Sequence, residues 1–96
     1  MQKLIQLPKT TRLLENTLVA AEYLVEGTLI GIAYVKVQDE LGFPMLMATP
    51  LGGFITDAGR PNCILQTHNN YWTLWAIADI RIHEEITLNL NLYGLI

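Results

Sequence analysis

Charge is scarce in this sequence. Asp, Glu, Lys and Arg make up 16% of the 96 residues, while hydrophobic residues make up 51%. Typical soluble domains carry about 25% charged residues. The deficit leaves apolar surface for a partner to cover, and a homo-oligomer, most simply a dimer, is expected. Basic clusters are missing too. The six Lys and Arg are scattered and the formal net charge is -3, which argues against nucleic acid, because phosphate binding needs grouped cations. With one cysteine, Cys63, there is no internal disulfide and no cysteine-rich zinc site. A reducing compartment fits that usage. No apolar run reaches the roughly 18 residues of a membrane span. Met1 to Pro8 lacks the apolar core of a signal peptide. These absences point to a soluble, intracellular, cytoplasmic protein, made by a cell or by a virus within its host cell.

The length allows a single domain over residues 1–96. No low-complexity linker and no clear internal repeat stand out. Turn signals come at short spacing instead: Pro8-Lys9-Thr10, Glu26-Gly27, Gly42-Phe43-Pro44, Gly52-Gly53, Gly59-Arg60-Pro61 and His68-Asn69-Asn70. Runs rich in Ile, Leu, Val, Thr and aromatics lie between them, the pattern of an all-β fold of short strands. Leu29 to Val37 reads as a strand. Cys63 to Gln66 and Tyr71 to Ile77 flank an Asn-Asn turn, and Asn tolerates positive φ, so a hairpin is expected there. The second strand of that hairpin is apolar on both faces and should be central. Near the C-terminus Ile86, Leu88, Leu90 and Leu92 alternate with Thr87, Asn89, Asn91 and Tyr93, which predicts a half-buried strand. Leu13 to Leu24 is ambiguous from propensity: it is the main helix candidate, and Gly27 could cap it.

Several blocks resemble a SET domain, the β-rich fold best known for S-adenosylmethionine-dependent protein lysine methylation. Leu18 to Gly31 is similar to the opening segment of that family. Pro61-Asn62-Cys63 resembles the Pro-Asn pair after its Asn-His-Ser-Cys motif. Ala76-Ile77-Ala78-Asp79-Ile80 resembles its Ala-x-Arg-Asp-Ile segment, and Glu84-Glu85-Ile86-Thr87-Leu88 its Glu-Glu-Leu-Thr-Phe. The order and spacing of these blocks match over about three quarters of the chain. Another small β-rich domain of the related β-clip type is the open alternative. The resemblance implies a strand and turn over the ambiguous stretch. It also implies a C-terminal strand passing close to residues 56–62 in a knot-like crossing.

The departures from the family concern chemistry. Its Gly-x-Gly cofactor loop falls on Glu15-Asn16-Thr17, where side chains would obstruct close backbone approach. Its Asn-His pair, which contacts the adenine and ribose end of the cofactor, falls on Thr56-Asp57. Asn62 completes the set of degenerate cofactor positions. The tyrosine that orients the lysine amine falls on Leu90, which has no hydrogen-bonding group. Tyr93 is three residues on, and an odd slip turns a strand side chain to the opposite face. The sequence ends shortly after this strand, without the C-terminal segment that completes the family's substrate channel. A catalytic residue is therefore not expected, nor a bound cofactor; S-adenosylmethionine is the cofactor if the chain is active.

Other chemistry-bearing residues have structural readings. His68 and His83 with Asp79 or Glu84 could ligate a metal, but both histidines fall in turns, His83 in one that normally holds glycine. No metal is expected. Cys63 with a histidine lacks a third orienting group and reads as buried and structural. Asp79, Glu84 and Glu85 could act as acid and base, but the resemblance puts Asp79 and Glu84 at a turn where acids hold backbone. Tyr71, Trp72 and Trp75 lack the interleaved cations of a base-stacking surface and read as core or subunit contact. Gly52-Gly53 has no following Lys-Ser/Thr and is not a phosphate loop. Two functions stay open: a non-catalytic SET-like structural or protein-interaction module, and a divergent S-adenosylmethionine-dependent protein lysine methyltransferase.

Overall fold

The computed structural model of the protein describes residues 6–95. The readings of Met1 to Ile5 and of the chain end at Ile96 lie outside the described residues. The described chain is mostly β, with helical structure confined to two 3-10 turns, Gly52–Phe54 and Leu90–Tyr93. The strands are β1 (Thr11–Leu14), β2 (Thr17–Ala20), β3 (Leu29–Gln38), β4 (Pro44–Ala48), β5 (Thr56–Asp57), β6 (Cys63–His68), β7 (Tyr71–Ala76) and β8 (Thr87–Leu88). None of the described helices is long and apolar enough to cross a membrane.

Local chemistry accounts for the turns. The stretch Leu13 to Leu24 is not a helix. It forms the β1–β2 hairpin, whose two loop residues, Glu15 and Asn16, have φ of 53° and 68°. Positive φ at both positions gives the twist that matches a two-residue hairpin. Asn69, with φ of 58°, opens the β6–β7 hairpin, and His68 is the last paired residue of β6 rather than part of the loop. Between β3 and β4 the Asp39 carboxylate accepts the backbone N–H groups of Leu41 and Phe43, each at 2.9 Å. Gly52 is required by crowding: a Cβ there would sit 2.0 Å from the Ala33 carbonyl oxygen.

β4, β3, β7 and β6 form one antiparallel sheet in that order, so β7 is interior as its apolar faces imply. Cross-strand partners share a face. One face carries Tyr34, Leu65, Leu74, Ala76 and Cys63 into the core, where Leu18, Leu24, Leu51, Ile80, Ile86 and Leu88 meet them. Burying each Leu or Ile side chain stabilises the fold by about 1.5–3 kcal/mol. The opposite face of this sheet aligns Met47, Val35 and Tyr71 in one row and Leu29, Trp75 and Ile64 in another.

The C-terminal strand is shorter than its alternation predicts. Pairing stops at Leu88, and Leu90 to Tyr93 coils into a 3-10 turn closed by left-handed Gly94. Leu90 still packs on the core, but Leu92 is 70% exposed. The Leu90 N–H meets the Asp57 carboxylate at 2.9 Å instead of a strand carbonyl, which ends the ladder there.

An internal repeat, unseen in the sequence, organises the centre. Leu24 and Ile80 exchange both backbone hydrogen bonds, at 2.8 and 2.7 Å. Around this pair the bonds come in twos. Gly27 N–H donates to the Ala76 carbonyl, and His83 N–H to that of Ala20, each at 2.8 Å. Ala76 N–H donates to Thr28 and Ala20 N–H to Glu84, each at 2.9 Å. Each position has its counterpart 56 residues along, as Tyr23 has Asp79. Residues 18–30 and 74–86 are thus related by a local two-fold axis.

Candidate functional site

The C-terminal strand does pass beside residues 56–62, and the positions singled out by the resemblance gather around that passage. Ile86 is its centre. The Ile86 N–H donates to the Leu18 carbonyl at 3.0 Å, and the Ile86 carbonyl accepts the Thr56 N–H at 3.3 Å. β2 and β5 thus both bond the C-terminal segment at Ile86. β5 runs parallel to β8, with Thr56 opposite Thr87 and Asp57 opposite Leu88. The segment after Thr17 and Thr56 therefore meet at one residue of the last segment, although 39 residues separate Thr17 from Thr56.

Asn62 is bound into this crossing at every side-chain atom that can bond. Its Oδ1 accepts the Thr87 N–H at 2.9 Å and the Thr87 hydroxyl at 3.1 Å, while its Nδ2 donates to the Glu85 carbonyl at 2.8 Å. Its backbone N–H donates to the Thr87 hydroxyl oxygen at 2.9 Å. Asp57 is exposed and accepts the Leu90 N–H. Glu15 and Asn16 are exposed in their hairpin turn, and Thr17 is half-buried at the start of β2. Thr56 is half-buried as well.

Leu90 and Tyr93 point to the body of the protein. Leu90 is packed against the core. The Tyr93 hydroxyl accepts the Leu65 N–H at 3.2 Å, and its ring meets Trp72 edge-on at 6.2 Å. Tyr93 thereby covers the outer edge of β6.

Two of the remaining candidate acids, Asp79 and Glu84, have partners in the chain. Asp79 accepts the Tyr23 hydroxyl at 2.7 Å and the Glu26 N–H at 2.8 Å. The Tyr23 hydrogen bond, then the Glu26 N–H, hold the Asp79 carboxyl below its ordinary range, and the same contact raises the Tyr23 hydroxyl. Glu84 accepts the Arg81 N–H at 2.6 Å, so both acids brace the turn backbone. His83 takes φ of 72° in that turn. Burial pushes the Cys63 thiol up to about 12, which keeps it neutral and poor as a nucleophile or ligand. Among the described residues no cluster of three or more His, Cys, Asp or Glu could hold a metal ion. An open hollow lined by Lys36, Pro44, Leu46, Thr67, Asn69 and Trp72 lies at the hairpin end of the large sheet and includes none of the cofactor positions.

Sequence reasoning placed Asn62 at a family motif but missed its partner. Thr87 gives no spacing signal, because the pair is 25 residues apart. The Asp57 bond to Leu90 was hidden by the assumption that the last strand continues. No family model matches this chain, and no curated protein matches it.

Proposed function

We propose that the chain is a SET-like module that does not transfer methyl groups and serves a structural or protein-interaction role. Asn62 carries this reading. Both lone pairs of its Oδ1 are filled by Thr87 and its Nδ2 holds Glu85, so it has little left for a nucleotide. The neighbouring positions support it. Asp57 ties down Leu90, Glu15 in its tight turn and Thr17 after it carry side chains where the family has glycines, and the Tyr93 hydroxyl is engaged by Leu65. A cytoplasmic location goes with this reading, since Cys63 is free and buried and a reducing compartment keeps thiols free.

One observation favours the second reading, a divergent S-adenosylmethionine-dependent lysine methyltransferase. β2 and β5 both bond the C-terminal segment at Ile86, through Leu18 and Thr56, a meeting of segments like the one that the resemblance calls for. Calorimetric titration with S-adenosylmethionine separates the two. No heat of binding, and no methyl transfer to lysine-rich proteins, is the expected result. Micromolar binding would overturn the non-catalytic reading.

A further inference from the structure

We infer that the hollow at the hairpin end of the β4–β3–β7–β6 sheet binds a small organic carboxylate with a flat apolar body, the carboxylate pairing with Lys36. This does not depend on the reading of methyl transfer. The strand register builds the hollow. Tyr34 belongs to the core, and alternation along β3 puts Lys36 on the same face two residues on. Trp72 stands opposite Tyr34, and Thr67 opposite Trp72, in one row; Leu46 stands opposite Lys36 in the next. The core ends between these rows. Tyr34 is 8% exposed, whereas Lys36 and Thr67 are open to solvent. The sheet therefore runs on past the packed layer and leaves a concave space of about 450 Å³ on its inner face. Small-molecule sites occupy roughly 300–1,000 Å³.

The walls are held in place by the fold itself. Leu46 and Trp72 pack against the core, and Tyr93 meets the Trp72 ring edge-on at 6.2 Å. The Lys36 N–H donates to the Asn70 carbonyl at 2.7 Å, which ties β3 to the β6–β7 turn. Asn69 in that turn is left-handed, with φ of 58°. Such a site costs little ordering when a ligand enters, and preorganisation of this kind favours affinity.

Charge selects the ligand. Lys36 is the one charged residue lining the hollow, and the adjoining hollow that it shares with Val37, Gln38 and Asn70 holds no acid either. Asp39, three residues along, is occupied by its own loop, where it accepts the Leu41 and Phe43 N–H groups. A cationic ligand is repelled by Lys36. The ammonium is a compact point charge, and a single one balances a carboxylate but not a doubly charged phosphate. Thr67 and Asn69 add a hydroxyl and an amide for the carboxylate oxygens. Pro44, Leu46 and Trp72 offer apolar surface to the rest of the ligand, and a flat ring suits Trp72, since aromatic groups attract each other in offset or edge-on contact.

Titration of the full chain with benzoate, followed by the indole N–H signals in nitrogen-proton correlation spectra, tests the inference. The chain has two tryptophans. Trp72 lines the hollow, and Trp75 lies on the opposite face of β7 by strand alternation, so it serves as the internal control. Trp75→Phe assigns the two signals. Benzoate should move the Trp72 signal saturably with Kd of about 1 mM, as expected of a single-ring ligand, and leave that of Trp75 in place. Benzamide, neutral and of the same shape, should bind about three- to fivefold more weakly, the effect of one solvent-exposed ion pair. Lys36→Met keeps the length of the side chain and removes the charge, and it should weaken benzoate by the same factor while leaving benzamide unchanged. No saturable shift up to about 20 mM, well above the expected Kd, overturns the inference. Equal affinity for benzoate and benzamide overturns it in favour of a merely apolar hollow, and this comparison stands on the wild-type chain even if Lys36→Met fails to fold. Equal movement of both indoles also overturns it, as non-specific binding. Titration with S-adenosylmethionine is a separate readout, so failure of either reading is visible by itself.

Discussion

Residues 18–30 and residues 74–86 follow one backbone course about a shared axis, yet only Leu18/Leu74, Ala20/Ala76 and Ile30/Ile86 are identical between them. What both copies keep is what the backbone and core demand. Leu18 and Leu74, Ala20 and Ala76, Leu24 and Ile80, Ile30 and Ile86 are buried in pairs. What differs is the rim. The turn is Val25-Glu26-Gly27-Thr28 in one copy and Arg81-Ile82-His83-Glu84 in the other, each closed by a first-to-fourth backbone bond of 3.1 or 3.0 Å. The third turn residue is left-handed in both, at φ of 91° for Gly27 and 72° for His83. Geometry is conserved across the axis while the residue bearing it is not. The two copies also differ in destination. The first feeds β3 of the large sheet, and the second feeds β8 and the crossing.

The largest test of this equivalence is in the core. Leu18 and Leu74 are both fully buried. Leu18→Ala and Leu74→Ala should each lose about 2–5 kcal/mol, as large-to-small changes in tight cores do. Urea unfolding measures both. If one variant loses several times more than the other, the copies do not share the core evenly and the symmetry is one of backbone only. Next comes Gly27→Ala. A Cβ at Gly27 would meet nothing within 4 Å, so the loss is conformational, about 1–2 kcal/mol for an L residue held left-handed. An unchanged midpoint would mean the turn adapts and the shared geometry is not enforced.

How much of this was legible depends on which force writes the pattern. β3 and the β6–β7 hairpin were readable because β-branched runs and an Asn-Asn turn act locally. The repeat was not, since buried positions accept any apolar residue of suitable size and the rim is free to drift, leaving three identities. The C-terminal strand was misjudged for a related reason. Alternation from Ile86 to Leu92 fits a strand, but whether pairing continues depends on a partner, and Asp57 takes the Leu90 N–H before one is met. The positions around the crossing were found only through family-like blocks. Their hydrogen-bond partners lie 25 and 33 residues away, a distance at which no periodicity carries information.

The reciprocal of the glycine test is His83→Gly. Relieving a left-handed L residue gains about 1–2 kcal/mol, and the greater freedom of glycine in the unfolded chain takes back about 0.4–1. The net expectation is a small gain, under about 1 kcal/mol, read as a raised melting temperature. Glu15→Gly, at φ of 53°, should behave in the same way. Destabilisation in either variant would mean that the side chain makes a contact worth more than the strain.

The smallest effect distinguishes the copies by pH. Asp79 serves the first copy from the second, holding the Tyr23 hydroxyl and the Glu26 N–H across the axis. No carboxylate stands at the equivalent place in the first copy, where the residue is Tyr23. The Asp79 carboxyl is held below its ordinary value by those two hydrogen bonds. A depressed folded value means that the folded protein binds the proton less readily than the unfolded chain. Its stabilisation is therefore complete above the unfolded carboxyl value of about 3.9 and is lost as pH falls through the folded value. The group is exposed, so solvent screening keeps the effect small. Asp79→Asn should unfold at lower urea than wild type at pH 7, and the two midpoints should converge as pH falls to about 2, well under the carboxyl range. A gap that stays constant with pH would show that the amide loses packing rather than charge, and that the carboxylate does not link the two copies.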